Sequence, residues 1–237
     1  MPANAYPITT VEVNPGRDHV ERPTLRRRSK PTRPVARTIK RALDILIAGS
    51  ALLIAAPVVL MIAAVVKLTM GGPVIFGHQR IGLHGRRFYC LKFRSMVSNG
   101  DEVLRQYLDA NPIAQDEWRQ KQKLAYDPRI TRFGRVLRRS SLDELPQFYN
   151  ILRGDMSCVG PRPIVDGELA RYGEYATDYT SVRPGLTGLW QVSGRSRVSY
   201  ETRIQLDVDY IENWTLGCDI SILLRTIPAV MKPDDAG

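Results

Sequence analysis

Two adjacent carboxylates, Asp143 and Glu144, follow three arginines in the segment RVLRRSSLDELPQ, residues 135–147. Neighbouring cations favour the ionised form of a carboxylate. An ionised carboxylate can attack phosphorus and form an acyl-phosphate intermediate. Flanking arginines, or a divalent metal, would offset the negative charge of the phosphate group. The segment therefore indicates a phosphoryl-transfer site.

Helix capping is the alternative explanation of the same segment. Ser141 and Glu144 have the spacing of a capping box, and acidic residues stabilise the positive end of a helix. Pro146 fits poorly with a cap at Ser141, since it lacks the backbone donor that such a helix would need there. It fits better with a cap at Asp143, because first-turn donors are unbonded in any case. The residues alone leave catalysis and capping open.

Two further segments carry cations that could bind phosphate. Pro161 and Pro163 hold Arg162 in a stiff, extended backbone, and a guanidinium fixed in this way suits bidentate recognition of phosphate. Lys92 and Arg94, in the segment KFRSM, end a predicted strand, where alternation places both side chains on one face. A chance tripeptide in a loop and a solvated basic face are the corresponding alternatives.

A glycine-rich segment, RPGLTGLWQVSGR, runs from Arg183 to Arg195 and adds these two arginines as candidate substrate-binding residues. Glycine permits close backbone approach to a ligand. Trp190 could stack on a base or lie at a membrane interface. A structured surface loop is the alternative. Asp207 and Asp209 have the look of a metal-binding DxD pair, but they occur in a helical pattern, which favours a pair on a helix surface.

Other kinds of site lack their motifs. The three cysteines are far apart, which favours buried free thiols, and the three histidines have no metal-ligand spacing with them, so a zinc site is not expected. The sequence has no P-loop, no dinucleotide-binding fingerprint and no nucleophile elbow.

The elements that must position these residues begin with an apolar segment, residues 42–66, which is long enough to cross a bilayer as a helix. Pro57, which follows Ala56, removes a backbone donor near the middle and is expected to kink or break the helix. Basic residues flank both ends, which favours the cytoplasmic side for both flanks. A re-entrant helix broken at Pro57 is therefore preferred over a kinked helix that spans once.

The whole chain predicts a helix-dominated α+β fold in three parts. Residues 1–36 are polar, proline-punctuated and basic, and we expect a disordered tail attracted to anionic headgroups. Residues 37–70 form the membrane helix, and residues 71–232 form a cytoplasmic, membrane-associated domain. In that domain we expect a β-hairpin built from residues 74–76 and 88–91. We also expect helices over 101–110, 116–124, 164–179 and 200–213, another from about Asp143, and an apolar stretch over 217–230 on the membrane surface or in the core.

The formal net charge of +10 calls for an anionic partner. Much of this charge lies in the N-terminal tail and beside the apolar helix, and no nucleic-acid motif accompanies it. Membrane lipids and a phosphate-bearing substrate are therefore the expected partners, and nucleic acid is not. A non-enzymatic, basic, membrane-anchored scaffold is the alternative function.

In their order and spacing, these segments resemble the monotopic phosphoglycosyl transferase family, the bacterial sugar transferases that initiate surface polysaccharides. The resemblance covers about residues 40–232. It rests on the basic-flanked helix with a central proline and on the segments KFRSM, SLDELPQ, GPRP and RPGLTG. The short galactosyl-phosphate transferases of exopolysaccharide synthesis are the most similar members. The family often has Ser-Pro at the helix break, where this chain has Ala56-Pro57.

The resemblance implies a re-entrant helix, Asp143 as the nucleophile, Glu144 as its catalytic partner, and Mg²⁺ at this dyad with Asp143 as a ligand. It also implies that Arg138 and Arg162 contact substrate phosphates. The implied reaction transfers a hexose 1-phosphate, of galactose or glucose, from a UDP-sugar to undecaprenyl phosphate at the cytoplasmic face of the inner membrane, and galactose is favoured. The oligomeric state stays open, a homo-oligomer included.

Overall fold

A computed structural model describes residues 34–121, 124–194 and 198–231. The predicted disordered tail falls almost entirely outside these residues. The α-helices are α1 Pro34–Met70, α2 Gly100–Ala110, α3 Pro112–Lys121, α4 Arg132–Arg139, α5 Gln147–Arg153, α6 Asp166–Leu169, α7 Ala176–Thr180, α8 Leu189–Ser193, α9 Tyr200–Asn213 and α10 Leu216–Met231. The strands are β1 Ile75–Ile81, β2 Arg87–Phe93, β3 Ser157–Val159 and β4 Gly185–Thr187. The predicted helix-dominated α+β class is confirmed.

Helix α1 is a single long apolar helix that is long enough to cross a membrane. It begins at Pro34, a residue well suited to the first helical position, rather than at residue 37. The helix assignment continues through Pro57 without interruption, and a bend of the helix axis at Ala56-Pro57 stays a prediction. A proline removes only one hydrogen bond of the ladder, and the apolar turns on either side remain helical.

Both halves of α1 contact the folded body of the protein. In the first half, the buried Asp44 accepts hydrogen bonds from the Ser157 hydroxyl (3.0 Å) and the Cys158 backbone N–H (2.9 Å). In the second half, Ile62 and Val66 pack in a core cluster with residues of β2 and α4. The turns between these contacts are exposed: Leu53 and Ile54 are each 79% accessible. The centre of α1 therefore projects its apolar side chains away from the body.

Strands β1 and β2 form the predicted antiparallel hairpin, with Phe76 opposite Lys92, His78 opposite Cys90 and Arg80 opposite Phe88. Asn150 on α5 joins the hairpin to the body: its side chain accepts from the Leu91 N–H and donates to the Tyr89 carbonyl. Because directly opposed residues share a face, the hairpin places basic side chains of both strands on one surface.

A second sheet, the parallel pair β3–β4, was not predicted. Its glycines provide close packing of backbone on backbone, since a Cβ atom at Gly160 would collide with the backbone of residues 183–185, and one at Gly188 with that of Gly160. Here the glycine-rich segment packs closely against another backbone segment of the same chain. The prediction that glycines of the 183–195 segment admit a ligand does not describe Gly188, which packs on the Gly160 backbone.

Some of the predicted helices match the structure, and one of them is divided into shorter elements. Residues 101–110 and 200–213 correspond to α2 and α9, whereas the single helix predicted over 164–179 is divided into α6, a 3₁₀ segment and α7. Gly173, with a φ of 52°, interrupts it. The apolar stretch over 217–230 lies in α10, which continues through Pro228. The interpretation of Asp207 as a helix-surface residue is wrong, because its side chain is buried and accepts a hydrogen bond from the Tyr172 hydroxyl (2.8 Å).

Candidate active site

The carboxylate dyad lies on a 3₁₀ turn, Leu142–Glu144, between α4 and α5. Leu142 and Leu145 flank it and pack into the core cluster that contains the second half of α1. Ser141, just before the turn, has a φ of 56°, a left-handed conformation that is strained for a residue with a side chain. Two partly buried leucines and one strained residue therefore fix how Asp143 and Glu144 face β2.

Asp143 is buried, with 6% of its surface accessible, and the Lys92 ammonium lies 4.0 Å from its Oδ2. Burial raises the pKa of this carboxyl, and the charge of Glu144 raises it further, while Lys92 and Arg138 act in the opposite direction. The sequence predicted an ionised carboxylate on the ground of neighbouring cations alone. The structure adds burial, which outweighs the cations in setting the direction of the pKa shift.

Glu144 forms the close ion pair of the site: its Oε1 lies 2.6 Å from the Lys92 Nζ. Lys92 thus reaches both carboxylates from the neighbouring strand. No side-chain capping hydrogen bond is present at Ser141 before the 3₁₀ turn or at Pro146 before α5. A capping box at Ser141 is therefore not formed, and the acidic side chains, which still lie in the first turn of the 3₁₀ segment, approach Lys92.

Arg138 reaches the same region from α4. Its Nε donates to the Ser95 hydroxyl (2.8 Å), and the absence of a side chain at Gly134 lets α4 pack directly on the Ser95 backbone. Burial lowers the pKa of Arg138, and the charge of Asp143 partly compensates. The structure therefore brings Arg138 into the electrostatic environment of the dyad.

Arg94 does not join this group, although alternation predicted a common face with Lys92. It follows the end of β2, and its guanidinium donates to the Met70 carbonyl (3.4 Å) beside Gly72. Lys92, by contrast, points to the dyad. The strand ends between the two residues, so the alternation that holds within β2 does not extend to Arg94.

The Pro161-Arg162-Pro163 segment forms part of a second constellation. Pro161 is fully buried, its carbonyl accepts from the Gly185 N–H (2.8 Å), and the Arg162 carbonyl accepts from the Tyr179 hydroxyl (2.8 Å). The Arg162 guanidinium lies 5.4 Å from the centre of the Trp190 ring. The stiff backbone predicted for this segment thus directs Arg162 to an aromatic face.

Arg183, another candidate residue, is not placed at the dyad. Arg183 donates its Nε to the Gly154 carbonyl (2.7 Å), near Arg41 of α1. This contact joins the start of β4 to the end of α5. Arg195 lies outside the described residues.

The hairpin face connects the two constellations. Cys90 on β2 lies within the electrostatic reach of Lys92 and Glu144 and also of Arg80 and Arg162. Burial lowers the pKa of the neighbouring His78, as do the charges of Arg80 and Lys92. The dyad and Arg162 therefore both lie within electrostatic range of the hairpin.

Sequence reasoning did not identify Arg80 or Arg203 as members of the constellation around Arg162. Arg80 forms an ion pair with Glu168 (3.5 Å), and the Arg203 guanidinium lies 4.9 Å from the centre of the Trp190 ring. A usable signal was present for Arg203, since Arg203 and Asp207 are four residues apart and share one face of α9.

The ligand atoms that the dyad offers show whether it could bind Mg²⁺. The described residues contain no group of three or more metal-ligating side chains, so the dyad supplies two carboxylates, one of them paired with Lys92. Mg²⁺ is commonly bound by one or two carboxylates together with substrate phosphates and water. Asp143 and Glu144 therefore fit a metal that arrives with a phosphate substrate, and not a pre-formed protein cage.

Comparison with known proteins gives a consistent picture. The sequence model of the bacterial sugar transferase family matches residues 35–233. The exopolysaccharide production protein ExoY of Rhizobium meliloti (strain 1021) is 54% identical over 198 residues, which cover 84% of this chain and 88% of that protein. The undecaprenyl-phosphate galactose phosphotransferase of Salmonella typhimurium is 53% identical over 202 residues, 85% of this chain and 42% of that protein. The UDP-glucose:undecaprenyl-phosphate glucose-1-phosphate transferase of Caulobacter vibrioides is 42% identical over 207 residues, 83% and 71% of the two chains.

Proposed function

The chain belongs to the bacterial sugar transferase family, and on this premise we propose that it transfers a hexose 1-phosphate from a UDP-sugar to undecaprenyl phosphate and releases UMP. The observation that carries the proposal is the buried Asp143, which lies 4.0 Å from Lys92 and beside Glu144 and Arg138. Relatives named for sugar-phosphate transfer to a lipid carrier support the same reaction. The expected role is the first membrane step of exopolysaccharide synthesis, in line with the ExoY relative.

The first half-reaction replaces one phosphorus–oxygen bond by another. A carboxylate oxygen of Asp143 attacks the β-phosphorus of the UDP-sugar, and the bond from that phosphorus to the bridging oxygen breaks. UMP leaves with the electron pair, and a phosphosugar–aspartate intermediate remains. Lys92 offsets the negative charge that collects between the carboxylates and the phosphate.

The second half-reaction returns the enzyme to its starting state. An oxygen of the lipid phosphate attacks the same phosphorus, the bond to Asp143 breaks, and the lipid-linked diphosphosugar leaves. Asp143 is then a free carboxylate again. Glu144, held by Lys92 at 2.6 Å, is the proposed catalytic partner of Asp143.

Mg²⁺ is the proposed cofactor. Asp143 and Glu144 would hold it together with the diphosphate of the donor, and the ion would neutralise phosphate charge. The Lys92 ammonium already lies beside Asp143 and Glu144. Lys92 and the metal ion would therefore both act on these two carboxylates.

We also propose that α1 is re-entrant, with the catalytic domain on the cytoplasmic face of the inner membrane. The support is that residues near both ends of α1 contact one folded body: Lys40 binds Asp219 (2.7 Å), and Val66 packs with Phe93 and Leu137. A helix that spans once would hold its ends on opposite sides of the bilayer. The exposed, apolar Leu53 and Ile54 would then lie deepest in the lipid.

Labelling of one introduced cysteine at a time tests this topology, because the two native cysteines that remain, Cys90 and Cys158, are buried. Thr38→Cys and Leu68→Cys, each in a Cys218→Ser background, would report on the two ends of α1 in intact spheroplasts. Re-entry predicts that a membrane-impermeant maleimide labels neither residue before lysis and both after it. Labelling of one end alone in intact spheroplasts would establish a single span.

UMP release by the purified protein in nanodiscs tests the reaction. UDP-galactose and UDP-glucose are offered separately, with Mg²⁺ and undecaprenyl phosphate, and other UDP-sugars follow. Lipid-dependent release with one sugar would establish the reaction and name the donor. Failure with a full panel of UDP-sugars, in a protein that is folded, would favour the non-enzymatic scaffold.

A further inference from the structure

Asn150 is completely buried between α5 and the hairpin. Its side-chain oxygen accepts a hydrogen bond from the Leu91 N–H (2.9 Å), and its side-chain nitrogen donates to the Tyr89 carbonyl (2.8 Å). A side-chain amide, like a peptide group, offers both a donor and an acceptor. Asn150 therefore supplies to the edge of β2 the two bonds that one residue of a further strand would supply.

The orientation of the Asn150 amide follows from its partners. The same nitrogen also donates to Asp155 Oδ2 (3.2 Å), and the Arg153 Nε donates to that carboxylate oxygen (2.7 Å). The amide nitrogen thus faces two acceptors, and the amide oxygen faces a donor. A reversed amide would place its oxygen against the Tyr89 carbonyl and the Asp155 carboxylate, so one orientation alone satisfies these groups.

Asn150 and the carboxylate dyad lie on one continuous right-handed segment. The 3₁₀ turn Leu142–Glu144 is followed by Leu145 and Pro146, both with right-handed dihedral angles, and α5 begins at the next residue. A helical segment rises about 1.5 Å per residue, so the six positions from Glu144 to Asn150 span roughly 9 Å. The dyad and Asn150 therefore form one short, stiff unit.

Lys92 contacts this unit from β2. It follows Leu91 directly, and its Nζ lies 2.6 Å from the Glu144 Oε1 and 4.0 Å from the Asp143 Oδ2. The Lys92 and Glu144 side chains are 38% and 36% accessible, and an ion pair exposed in this way contributes little stability. Buried hydrogen bonds are costly to break, because their partners are left unsatisfied. Of these two links between β2 and the unit, the Asn150 bonds are therefore the stronger.

We propose that Asn150 is a positioning residue of the phosphoryl-transfer site, and that its bonds to β2 hold the Lys92 ammonium against Asp143 and Glu144. Lys92 carries its charge on a flexible four-carbon stem, so the backbone from which it extends must be held in place. The effect of Asn150 on turnover rests on the proposed function. The placement of Lys92, by contrast, is measured without any substrate.

An NMR measurement tests the placement of Lys92. The full-length protein in detergent is reductively methylated with ¹³C-formaldehyde, which keeps each lysine charged, and the Lys92 signal is identified by its loss in Lys92→Met. Glu144→Gln removes the negative charge of the partner and gives the signal position of an unpaired Lys92. Asn150→Leu has a similar branched shape and removes both bonds to β2. We expect its Lys92 signal to move most of the way to the Glu144→Gln position.

Tyr210→Phe is the matched control. The Tyr210 hydroxyl is also buried and makes two contacts, with the Val159 carbonyl (3.1 Å) and the Asp219 Oδ1 (2.8 Å), and both partners lie outside the hairpin and the dyad. This variant should lower the thermal midpoint and leave the Lys92 signal in place. A signal that moves in Asn150→Leu alone therefore reports the bonds to β2 and not a general loss of stability.

A double-mutant cycle on UMP release tests the consequence for the reaction. Asn150→Leu should lower the rate by roughly 10- to 100-fold, the effect of a small misplacement in an active site. In the Lys92→Met background, the same change should lower the rate by less than about threefold, because a residue that acts through Lys92 has no effect once Lys92 is removed. Tyr210→Phe should leave the rate unchanged in both backgrounds.

A Lys92 signal at its wild-type position in folded Asn150→Leu would overturn the positioning role, and so would a rate loss of equal size in both backgrounds. If Asn150→Leu does not fold, Asn150→Ser replaces it, since a serine hydroxyl is too short to bridge both backbone groups and leaves room for water. The same two outcomes then apply. If the wild type releases no UMP with any UDP-sugar, the proposed function fails, and the Lys92 signal still decides the role of Asn150.

Discussion

Asp143 and Asp219 are buried to the same degree, 6% and 7% accessible, but their surroundings differ. Asp219, on α10, accepts from the Lys40 ammonium (2.7 Å), the Tyr210 hydroxyl (2.8 Å) and the Trp214 indole (3.1 Å). Asp143 has Lys92 at 4.0 Å, and that lysine is closer to Glu144. One carboxylate is fully bound by donors, and the other is not.

This difference separates a structural carboxylate from the proposed nucleophile. Hydrogen bonds to a buried carboxylate stabilise its ionised form and occupy its lone pairs. The three donors at Asp219 therefore fasten the start of α1 to α9 and α10. The carboxyl of Asp143 retains lone pairs that can bind a metal or attack phosphorus, and its raised pKa reflects the cost of that arrangement.

The largest expected effect is on catalysis. Asp143→Asn should lower the rate of UMP release by roughly 10⁴-fold or more, as removal of a covalent nucleophile does, because an amide does not attack the phosphorus. Its thermal midpoint should equal or exceed that of the wild type, since the uncharged amide is cheaper to bury than the carboxylate. Near-normal turnover in the folded variant would refute the nucleophile.

Asp219→Ala should act mainly on the thermal midpoint and not on the rate of UMP release. It should be the most destabilising of the changes considered. Breaking a buried ion pair costs about 3–5 kcal/mol, which corresponds to a fall of roughly 10 °C in the thermal midpoint of a chain of this size. Asp209→Ala is the control, because Asp209 is exposed on α9 and should change the midpoint by little. A midpoint for Asp219→Ala equal to that of Asp209→Ala would show that the Lys40 contact does not fasten α1.

The two aspartates also show how far sequence can lead. SLDELPQ resembles a known motif, and that resemblance identified Asp143 and Glu144. No local pattern identified Asp219, because its partners Lys40 and Tyr210 are brought to it only by tertiary folding. The same holds for the Lys92–Glu144 pair, whose members are 52 positions apart.

Prediction of the fold was limited in the same way, to elements that a local sequence pattern marks. Periodicity located α2 and α9, and alternation located the hairpin, because each is a local pattern. The parallel strands β3 and β4 are three residues each and pair across a long connection, so no local signal marks them. Burial of Asp207 was also missed, since its stabilising partner Tyr172 lies on a different element.

A smaller effect should appear in the pH profile of the donor half-reaction. As the proposed nucleophile, Asp143 must be ionised to attack, and burial raises its pKa above the ordinary value, so the rate should fall on the acid side of that raised pKa. Lys92 lowers the pKa of Asp143, and Lys92→Met should therefore move the acid limb to higher pH. Lys67→Met, at an exposed lysine of α1, should leave the limb in place. A limb that does not move in Lys92→Met would show that Lys92 does not control the ionisation of Asp143.

The same shift predicts a stability difference with a defined sign. A carboxyl whose pKa is raised on folding contributes stability below its unfolded pKa and loses that contribution as the pH rises through its folded pKa. Wild type should therefore lose thermal stability relative to Asp143→Asn as the pH rises above the ordinary aspartate value. A constant difference between the two across this range would contradict the raised pKa.

The smallest expected effect concerns the backbone that presents the dyad. Ser141→Gly relieves a left-handed conformation that costs about 1–2 kcal/mol for a residue with a Cβ, but glycine adds roughly 0.5–1 kcal/mol of chain entropy to the unfolded state. The net change should lie between zero and about 1.5 kcal/mol of stabilisation. Ser140→Gly is the matched control, because Ser140 has a right-handed conformation and its hydroxyl donates to the Val136 carbonyl (2.8 Å). It should destabilise the protein by about 1 kcal/mol, from lost backbone restriction and one lost hydrogen bond.

Equal thermal midpoints for the two glycine variants would show that Ser141 stores no strain next to Asp143. A more stable Ser141→Gly with slower UMP release would show that this strain helps to position the nucleophile, a feature for which the Asp219 region has no counterpart among the described residues.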